Sequence, residues 1–416
     1  LGDFLRHTRD YSGARAALER ALAILDEALG PGAPESAMLL NTLAALAVEE
    51  GKHGEAKALF ERAVQYKEKA FGPDHPETAL SLSNLAIALA DTGDHEAALP
   101  LYERSLKIVE ERLGPEHPEL IRNLGALSES LLQLGRPAEA LGLALRAAEL
   151  RRENARLTMR TLSERRALDF VALQNVGLGV TLSVAALHPD AVPDAAQRAW
   201  DAVIRSRALV LEEMAWRHRS IVGAGEPELE GLALELTSAR ERLARLAVRG
   251  PGRDGPGQYR QDLDDARVEK ERAEEKLAAK SRAFREALTY EHLGLSDVRD
   301  ALPAGAALVA FTRYETPLPG RESLPSYLAF VLRGGEDEPV TVSLGTAADI
   351  EALVTRWGQE AAHGLRAPGW TPQEAEAAYR VAGERLRSRI WDPIVPHLKQ
   401  SDFVFVVPDG ALHQVS

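Results

Sequence analysis

The stretch Gly72-Pro73-Asp74-His75-Pro76-Glu77 decides how this chain is read. It returns as Gly114-Pro115-Glu116-His117-Pro118-Glu119, and in worn form as Gly30-Pro31-Gly32-Ala33-Pro34-Glu35. The three opening glycines are 42 residues apart (72 − 30 and 114 − 72). A fixed period of this size marks a solenoid, in which one unit cannot bury its apolar face alone and stacks on its neighbours. Gly-Pro closely followed by a second proline breaks any helix. Each copy is therefore the expected loop between repeats, with helices on both sides.

The frame extends outward from that loop. Ala21, Ala63 and Ser105 are equivalent, as are Leu18, Phe60 and Tyr102. Gly51, Gly93 and Gly135 mark a short turn inside each unit, followed by Ala56, Ala98 and Ala140. Each unit reads as two helices. Helix A is expected over Glu77–Asp91, with Leu80, Leu82, Leu85 and Leu89 apolar, and helix B over His95–Leu113, with Ala98, Leu101, Tyr102, Leu106 and Val109. Small alanines let neighbouring helices approach and larger side chains fill the gaps.

Leu82-Ser83-Asn84-Leu85-Ala86, Gly93-Asp94-His95-Glu96-Ala97-Ala98 and Leu101-Tyr102-Glu103-Arg104-Ser105-Leu106, followed by the Gly-Pro-x-His-Pro-Glu loop, resemble the tetratricopeptide repeat in the form found in kinesin light chains. The frame places residue 1 inside a repeat, with Leu1–Asp10 read as the end of a helix A, as in a fragment. Such repeats line a concave groove with helix A side chains. Asn41, Asn84 and Asn123 fall near one turn of helix A. As amides they can either pair with the backbone of a protein or peptide ligand in the groove or satisfy neighbouring helices. His75 and His117 invite a metal reading, but no further ligands stand at fixed spacing, and no metal or cofactor is expected.

Composition bounds the alternatives. The chain has 416 residues, 45% hydrophobic and 27% charged, which is a folded rather than a disordered balance. A net charge of −13 argues against direct nucleic-acid binding. Cys is absent, so these residues hold no disulfide and no thiolate nucleophile. No apolar run reaches the ~20 residues of a membrane span. No signal-peptide pattern is seen, and a cytoplasmic location is expected.

Beyond Gly135 the frame decays. Residues 153–225 are read as a helical continuation of the solenoid, with Trp200, Val203, Ile204, Leu209, Val210, Leu211 and Met214 as core and Arg205–Arg207 on a solvated face. Over 226–292, Leu229, Leu236 and Leu243, with Leu232, Ala239 and Leu246, form a heptad seam. After a Gly/Pro-rich break at 249–257, a second charged helix carries Leu263, Ala266, Ala273, Leu277, Phe284 and Ala287. An antiparallel coiled-coil hairpin with a mobile tip follows, acting as a spacer or docking arm. Self-association through the same seam stays open.

Periodicity changes again in 293–416. Ala306–Phe311, Tyr327–Leu332 and Val340–Leu344 read as strands. Helices are expected over Ala347–His363 and from a capping box at Thr371-Pro372-Gln373-Glu374 onward. Phe403–Val407 reads as a strand buried on both faces, ending in the turn Pro408-Asp409-Gly410.

Leu302-Pro303-Ala304-Gly305, Tyr327–Leu332, Leu344-Gly345, Trp391-Asp392-Pro393 and Val407-Pro408-Asp409-Gly410-Ala411-Leu412-His413 resemble the opening half of a CHAT domain, the caspase-like domain attached to tetratricopeptide repeats in bacteria. The fold class is therefore read as mainly α: a tetratricopeptide solenoid over 1–152, the helical and hairpin segments, then the first part of an α/β caspase-like domain. The resemblance implies a cysteine peptidase activated by partner binding. Its His and Cys are expected beyond Ser416, so no catalytic residue is assigned and His413 is read as a turn residue. Such a partial sheet is expected to leave an unpaired edge and exposed apolar surface. The alternative is a non-catalytic scaffold. The 416-residue chain is expected to show no peptidase activity on a fluorogenic peptide library. Cleavage that disappears on changing any residue in 303–416 would overturn this.

Overall fold

The computed structural model describes residues 11–30, 32–160, 178–222, 227–250, 255–281, 293–318, 321–336, 338–363, 371–399 and 401–415. They form two compact units. One is built from 1–163 with 225–280, the other from 164–224 with 281–416. The expected helical end at Leu1–Asp10, the Gly/Pro-rich tip at 251–254, and Phe284 and Ala287 lie outside the described residues.

The first unit begins with α1 (Tyr11–Leu29), α2 (Pro34–Glu49), α3 (His53–Phe71), α4 (Pro76–Asp91), α5 (His95–Leu113), α6 (Glu119–Gln133) and α7 (Pro137–Arg160). Helices α2/α3, α4/α5 and α6/α7 are the A/B pairs. Each A helix ends on a glycine with positive φ: Gly51 at 73°, Gly93 at 83° and Gly135 at 71°. In each case the glycine N–H and the next N–H turn back onto carbonyls of the last helical turn, as in Gly93 to Ala90 O (2.9 Å) and Asp94 to Leu89 O (2.9 Å). Only a residue without Cβ takes this left-handed cap cheaply.

The loop motif also resolves into local physics. Gly72 and Gly114 close the B helices through their N–H groups, on Glu68 O and Glu110 O. His75 and His117 then cap the next A helix, each Nδ1 accepting from the N–H two residues on, at 3.2 and 3.3 Å. Pro76 stands in the first turn of α4, where its missing N–H costs nothing. In the worn copy Ala33 replaces His, and that helix start has no side-chain cap.

Alanines at the expected positions pack the repeats: Ala56, Ala98 and Ala140 are buried, as are Ala63 and Ala147. Leu80, expected in the core, is exposed. Arg104 reaches back to Pro73 O and Glu68, and Arg146 repeats this on Pro115 O and Glu110.

This unit also contains α10 (Pro227–Arg249) and α11 (Gly255–Lys280). Leu236, Ala239 and Leu243 of α10 and Leu263, Ala266, Ala273 and Leu277 of α11 are buried. The buried Arg240 guanidinium meets Glu274 Oε1 at 2.6 Å, joining the pair. The pair is not a free arm. Arg260 donates to Glu111 O at 3.1 Å, and Arg267 forms an ion pair with Glu116.

Residues 153–160 continue α7 of the repeats, and the part of 153–225 from 164 to 224 belongs to the second unit. Its helices α8 (Gly179–Leu187) and α9 (Ala195–Val222) pack on a sheet rather than extending the repeats. Thr341 Oγ1 donates to Ala185 O at 3.0 Å, and the Trp200 and Phe330 rings stack at 5.1 Å. Trp200, Val203 and Leu209 are buried as expected, and Ile204 is half-buried. The side chains of Val210, Leu211 and Met214 lie outside the described ones.

Among the described residues the sheet has four strands, in the order β3-β2-β1-β4. Strands β1 (Ala306–Leu318) and β2 (Arg321–Arg333) pair antiparallel, as do β2 and β3 (Val340–Thr346), while β4 (Phe403–Val407) runs parallel to β1. Short α12 (Leu295–Ala301) leads into β1, and its first N–H bonds Asp201 of α9. Helices α13 (Ala347–His363), α14 (Pro372–Ile390) and α15 (Val395–Leu398) bring Ile350, Val354, Leu386, Ile390, Ile394 and Leu398 onto Val309, Phe311, Tyr327, Ala329 and Val331. The Thr371–Glu374 capping box forms in both directions, at 3.3 and 2.8 Å. Strand β4 is not buried on both faces. Among the described residues it stands at the margin of the sheet, and Phe403, Phe405, Val406 and Val407 are exposed.

The Pro-Asp-Gly turn at the end of β4 is a structural knot. Asp409 Oδ2 accepts from Arg207 Nη2 of α9 (2.9 Å) and from the Arg313 N–H of β1 (2.8 Å), and Oδ1 accepts from Gly410 N–H (3.0 Å). Arg207 therefore does not lie on a purely solvated face, and Arg205 pairs with Asp201. Tyr327 Oη accepts from Ala411 N–H at 2.9 Å, and a Cβ on Gly410 would collide with that hydroxyl. His413 sits exposed in the following 3₁₀ turn. Asp409→Ala should destabilise this unit by about 2–3 kcal/mol, because hydrogen bonds to a charged acceptor are lost and Arg207 keeps only the neutral acceptors Phe311 O and Thr312 Oγ1. Thermal denaturation followed by tryptophan fluorescence checks this, and an unchanged transition would refute it.

Candidate functional site

The three asparagines do not share one environment. Asn123 on α6 is 3% exposed. Its Nδ2 donates to Ser105 Oγ at 2.8 Å and its Oδ1 accepts from Ser83 Oγ, while Ser105 Oγ donates to Ala79 O at 2.7 Å. Asn123 thus ties α4, α5 and α6 together inside the stack. Asn41 is half-buried and donates to Ser81 Oγ of the next A helix at 3.5 Å. Asn84 is also half-buried, and its Oδ1 accepts from Arg122 Nη1 at 3.2 Å. All three make contacts between successive A helices.

Arg122 was not legible as a site residue. It lies exposed on α6, beside a cavity of about 200 Å³ lined by Leu80, Ser105, Val109, Glu119, Arg122 and Asn123. The Asn84–Arg122 pair and exposed Leu80 give this part of the A-helix face donors, an acceptor and an apolar contact. Desolvation raises the carboxyls of Asp91, Glu119 and Glu129 above their ordinary values, and the Asp91 charge raises Glu129 further.

A second locus is the junction of the repeat loop with α11. His117 is 7% exposed and meets Tyr259 edge-on, with ring centroids 5.7 Å apart. Its Nδ1 accepts from Glu119 N–H, so the neutral ring carries its proton on Nε2. Burial pushes the imidazole from 6.5 down to about 4. His75 plays the same capping role but stacks on Phe71 at 4.8 Å. Nothing in the sequence linked Tyr259 to the loop, because the pairing is tertiary.

With the helix pairs and their loop geometry in hand, comparison gives the family of this part. The tetratricopeptide repeat model matches residues 1–69, 35–111 and 81–153. Residues 1–153 are tetratricopeptide repeats. Such repeats generally mediate protein–protein interaction. Solved structures similar to the chain include BtubC (BKLC) from P. vanneervenii, at 17% identity and TM-score 0.38 over 55% of this chain and 80% of that one. Another is a putative kinesin light chain from Podosopora anserina with nearly identical TPR-like repeats, at 23% identity and TM-score 0.39 over 50% and 92%. No curated protein matches. Among the described residues, no helix of the chain is long and apolar enough to cross a membrane.

The depressed His117 value fixes a pH dependence. Protonation favours the unfolded state, where imidazole titrates near 6.5. The stability tied to neutral His117 is complete above that pH and is lost as pH falls toward 4, by up to about 3 kcal/mol. His117→Asn keeps an N-cap acceptor and removes the imidazole. Its melting temperature should fall less than that of the parent between pH 7 and 4 by circular dichroism; parallel falls would refute the assignment.

Proposed function

We propose that the tetratricopeptide repeats bind an extended segment of a partner protein along their A helices, with Asn84 and Arg122 as the principal polar contacts and Asn41 as a further one. The observation that carries this reading is the Asn84–Arg122 pair beside exposed Leu80 and the adjoining cavity. An amide and a guanidinium side by side supply donors and an acceptor for a peptide backbone, and the cavity takes one apolar side chain.

We further infer that this arm belongs to a CHAT-type protein, in which partner binding controls a caspase-like cysteine peptidase located in the cytoplasm. Support comes from the order of segments and from the parallel β4 ending in Pro408-Asp409-Gly410 beside β1. A catalytic His and Cys of that family would come from later strands. A thiolate beside an imidazole is the attacking species in such chemistry. Thiol-directed labelling of the longer parent protein, abolished by a single Cys→Ala change, is the expected result. Absence of labelling would leave a scaffold alone.

The groove is tested with a displayed library of extended peptides selected on the intact chain. Ligands should lose about tenfold or more in affinity on Asn84→Ala with Arg122→Ala, since two hydrogen bonds, one charge-assisted, are removed. Selected ligands that bind the double variant unchanged would refute the site.

A further inference from the structure

The 42-residue period sets the exposed positions of α2, α4 and α6 in rows that run across the repeats. Met38, Leu80 and Arg122 form one such row, and Met38 and Leu80 are 65% and 36% exposed. Half-buried Ile87 follows Leu80 two turns further along the same side of α4. Single exposed apolar side chains are ordinary on a protein surface. Two at one register of successive repeats, with a third in line, make a stripe suited to docking a partner. The charge of these helices is one-sided. Together α2, α4 and α6 carry six carboxylates, Glu35, Glu49, Glu77, Asp91, Glu119 and Glu129, against one cation, Arg122.

Glu35, Glu77 and Glu119 serve the helices themselves. They stand in first turns, where negative charge complements the helix dipole, and Glu77 also pairs with Lys67 at 2.7 Å. Asp91 and Glu129 have no such role. Asp91 is the last residue of α4 and Glu129 lies near the end of α6, where negative charge opposes the dipole. Both are exposed, and neither forms a hydrogen bond or salt bridge with the described residues. Each stands two turns beyond a member of the Asn84–Arg122 pair, whose side chains meet at 3.2 Å across α4 and α6. The same register sets Asp91 and Glu129 side by side. Desolvation and then the Asp91 charge raise the Glu129 carboxyl. Desolvation raises Asp91 as well, and His53 and His95 offset part of that.

We propose that the partner segment bound along the A helices is basic: its apolar side chains lie on Met38 and Leu80, and a lysine or arginine seats between Asp91 and Glu129. This rests on the peptide-groove reading above and adds the partner's charge to it. A guanidinium or ammonium group satisfies both carboxylates at once and relieves their mutual repulsion. The A helices repel a segment rich in Asp or Glu, so the same charges that attract one class of partner exclude the other.

Three displayed pools of extended peptides share alternate Leu/Ile positions and carry Lys/Arg, Glu/Asp or Ser/Gln at the others. Each pool is selected on the intact chain, and the recovered peptides are measured by fluorescence polarisation. Saturable ligands should come from the Lys/Arg pool and lose affinity as salt rises. Asp91→Asn with Glu129→Gln should weaken them about tenfold. Glu61→Gln with Glu103→Gln, at exposed positions of the B helices α3 and α5, should leave them unchanged. The first pair of changes removes no hydrogen bond or salt bridge within the described residues, so its melting temperature should hold and its lost affinity reports the contact. The charge assignment is overturned by ligands drawn chiefly from the Glu/Asp or Ser/Gln pool. It is equally overturned by ligands indifferent to Asp91→Asn with Glu129→Gln, or weakened as much by the B-helix pair. In those cases the groove reading survives if Asn84→Ala with Arg122→Ala still weakens binding. Ligands indifferent to that pair as well, or no saturable ligand from any pool, overturn both.

Discussion

The structure of the repeats depends on one backbone constraint: the chain must reverse within a residue or two at the end of each helix. A left-handed residue achieves this, and side chains with a Cβ adopt it at a cost. Gly51, Gly93 and Gly135 supply it within units, and Gly72 and Gly114 carry the turn between them. Their common period places every alanine contact, every Arg-to-loop hydrogen bond and every histidine cap in the same frame. With the reversal points fixed, Arg104 and Arg146 find the carbonyls of Pro73 and Pro115 at equivalent distances along the chain.

Where an element is governed by neighbours in sequence, it was legible. The helix bounds at His95–Leu113 and the Thr371–Glu374 box are local hydrogen-bond patterns, and both stand where the residues put them. Where the partner is distant, the sequence was silent. Asn123 looked like its counterparts on helix A, but its amide is consumed by Ser83 and Ser105 from two other helices. An apolar run such as Phe403–Val407 suits a central or an edge strand equally, and only the strand order separates them. Arg207 read as one of several exposed cations because its acceptor, Asp409, lies far along the chain.

Polar groups inside both units act as connectors rather than as isolated charges. Asp409 joins α9, β1 and the exit of β4. Arg240 and Glu274 join α10 to α11, with Lys270 on the other carboxylate oxygen. Asn123 joins three helices. In each case the geometry admits one register, since a shift by one residue would strand a buried charge or amide without its partner. Apolar packing gathers these elements, and the connectors choose among the ways of gathering them.

The α10–α11 pair touches the repeats at Glu111, Glu116 and His117, that is, at the end of one B helix and along the loop that follows it. Stacked repeats behave as a spring, because small rotations at successive interfaces add up. A brace fastened across one of those interfaces removes its share of the compliance. The stiffness of the described repeats is therefore expected to be uneven, higher between the α4/α5 and α6/α7 pairs, where the brace is fastened, than between pairs it does not touch.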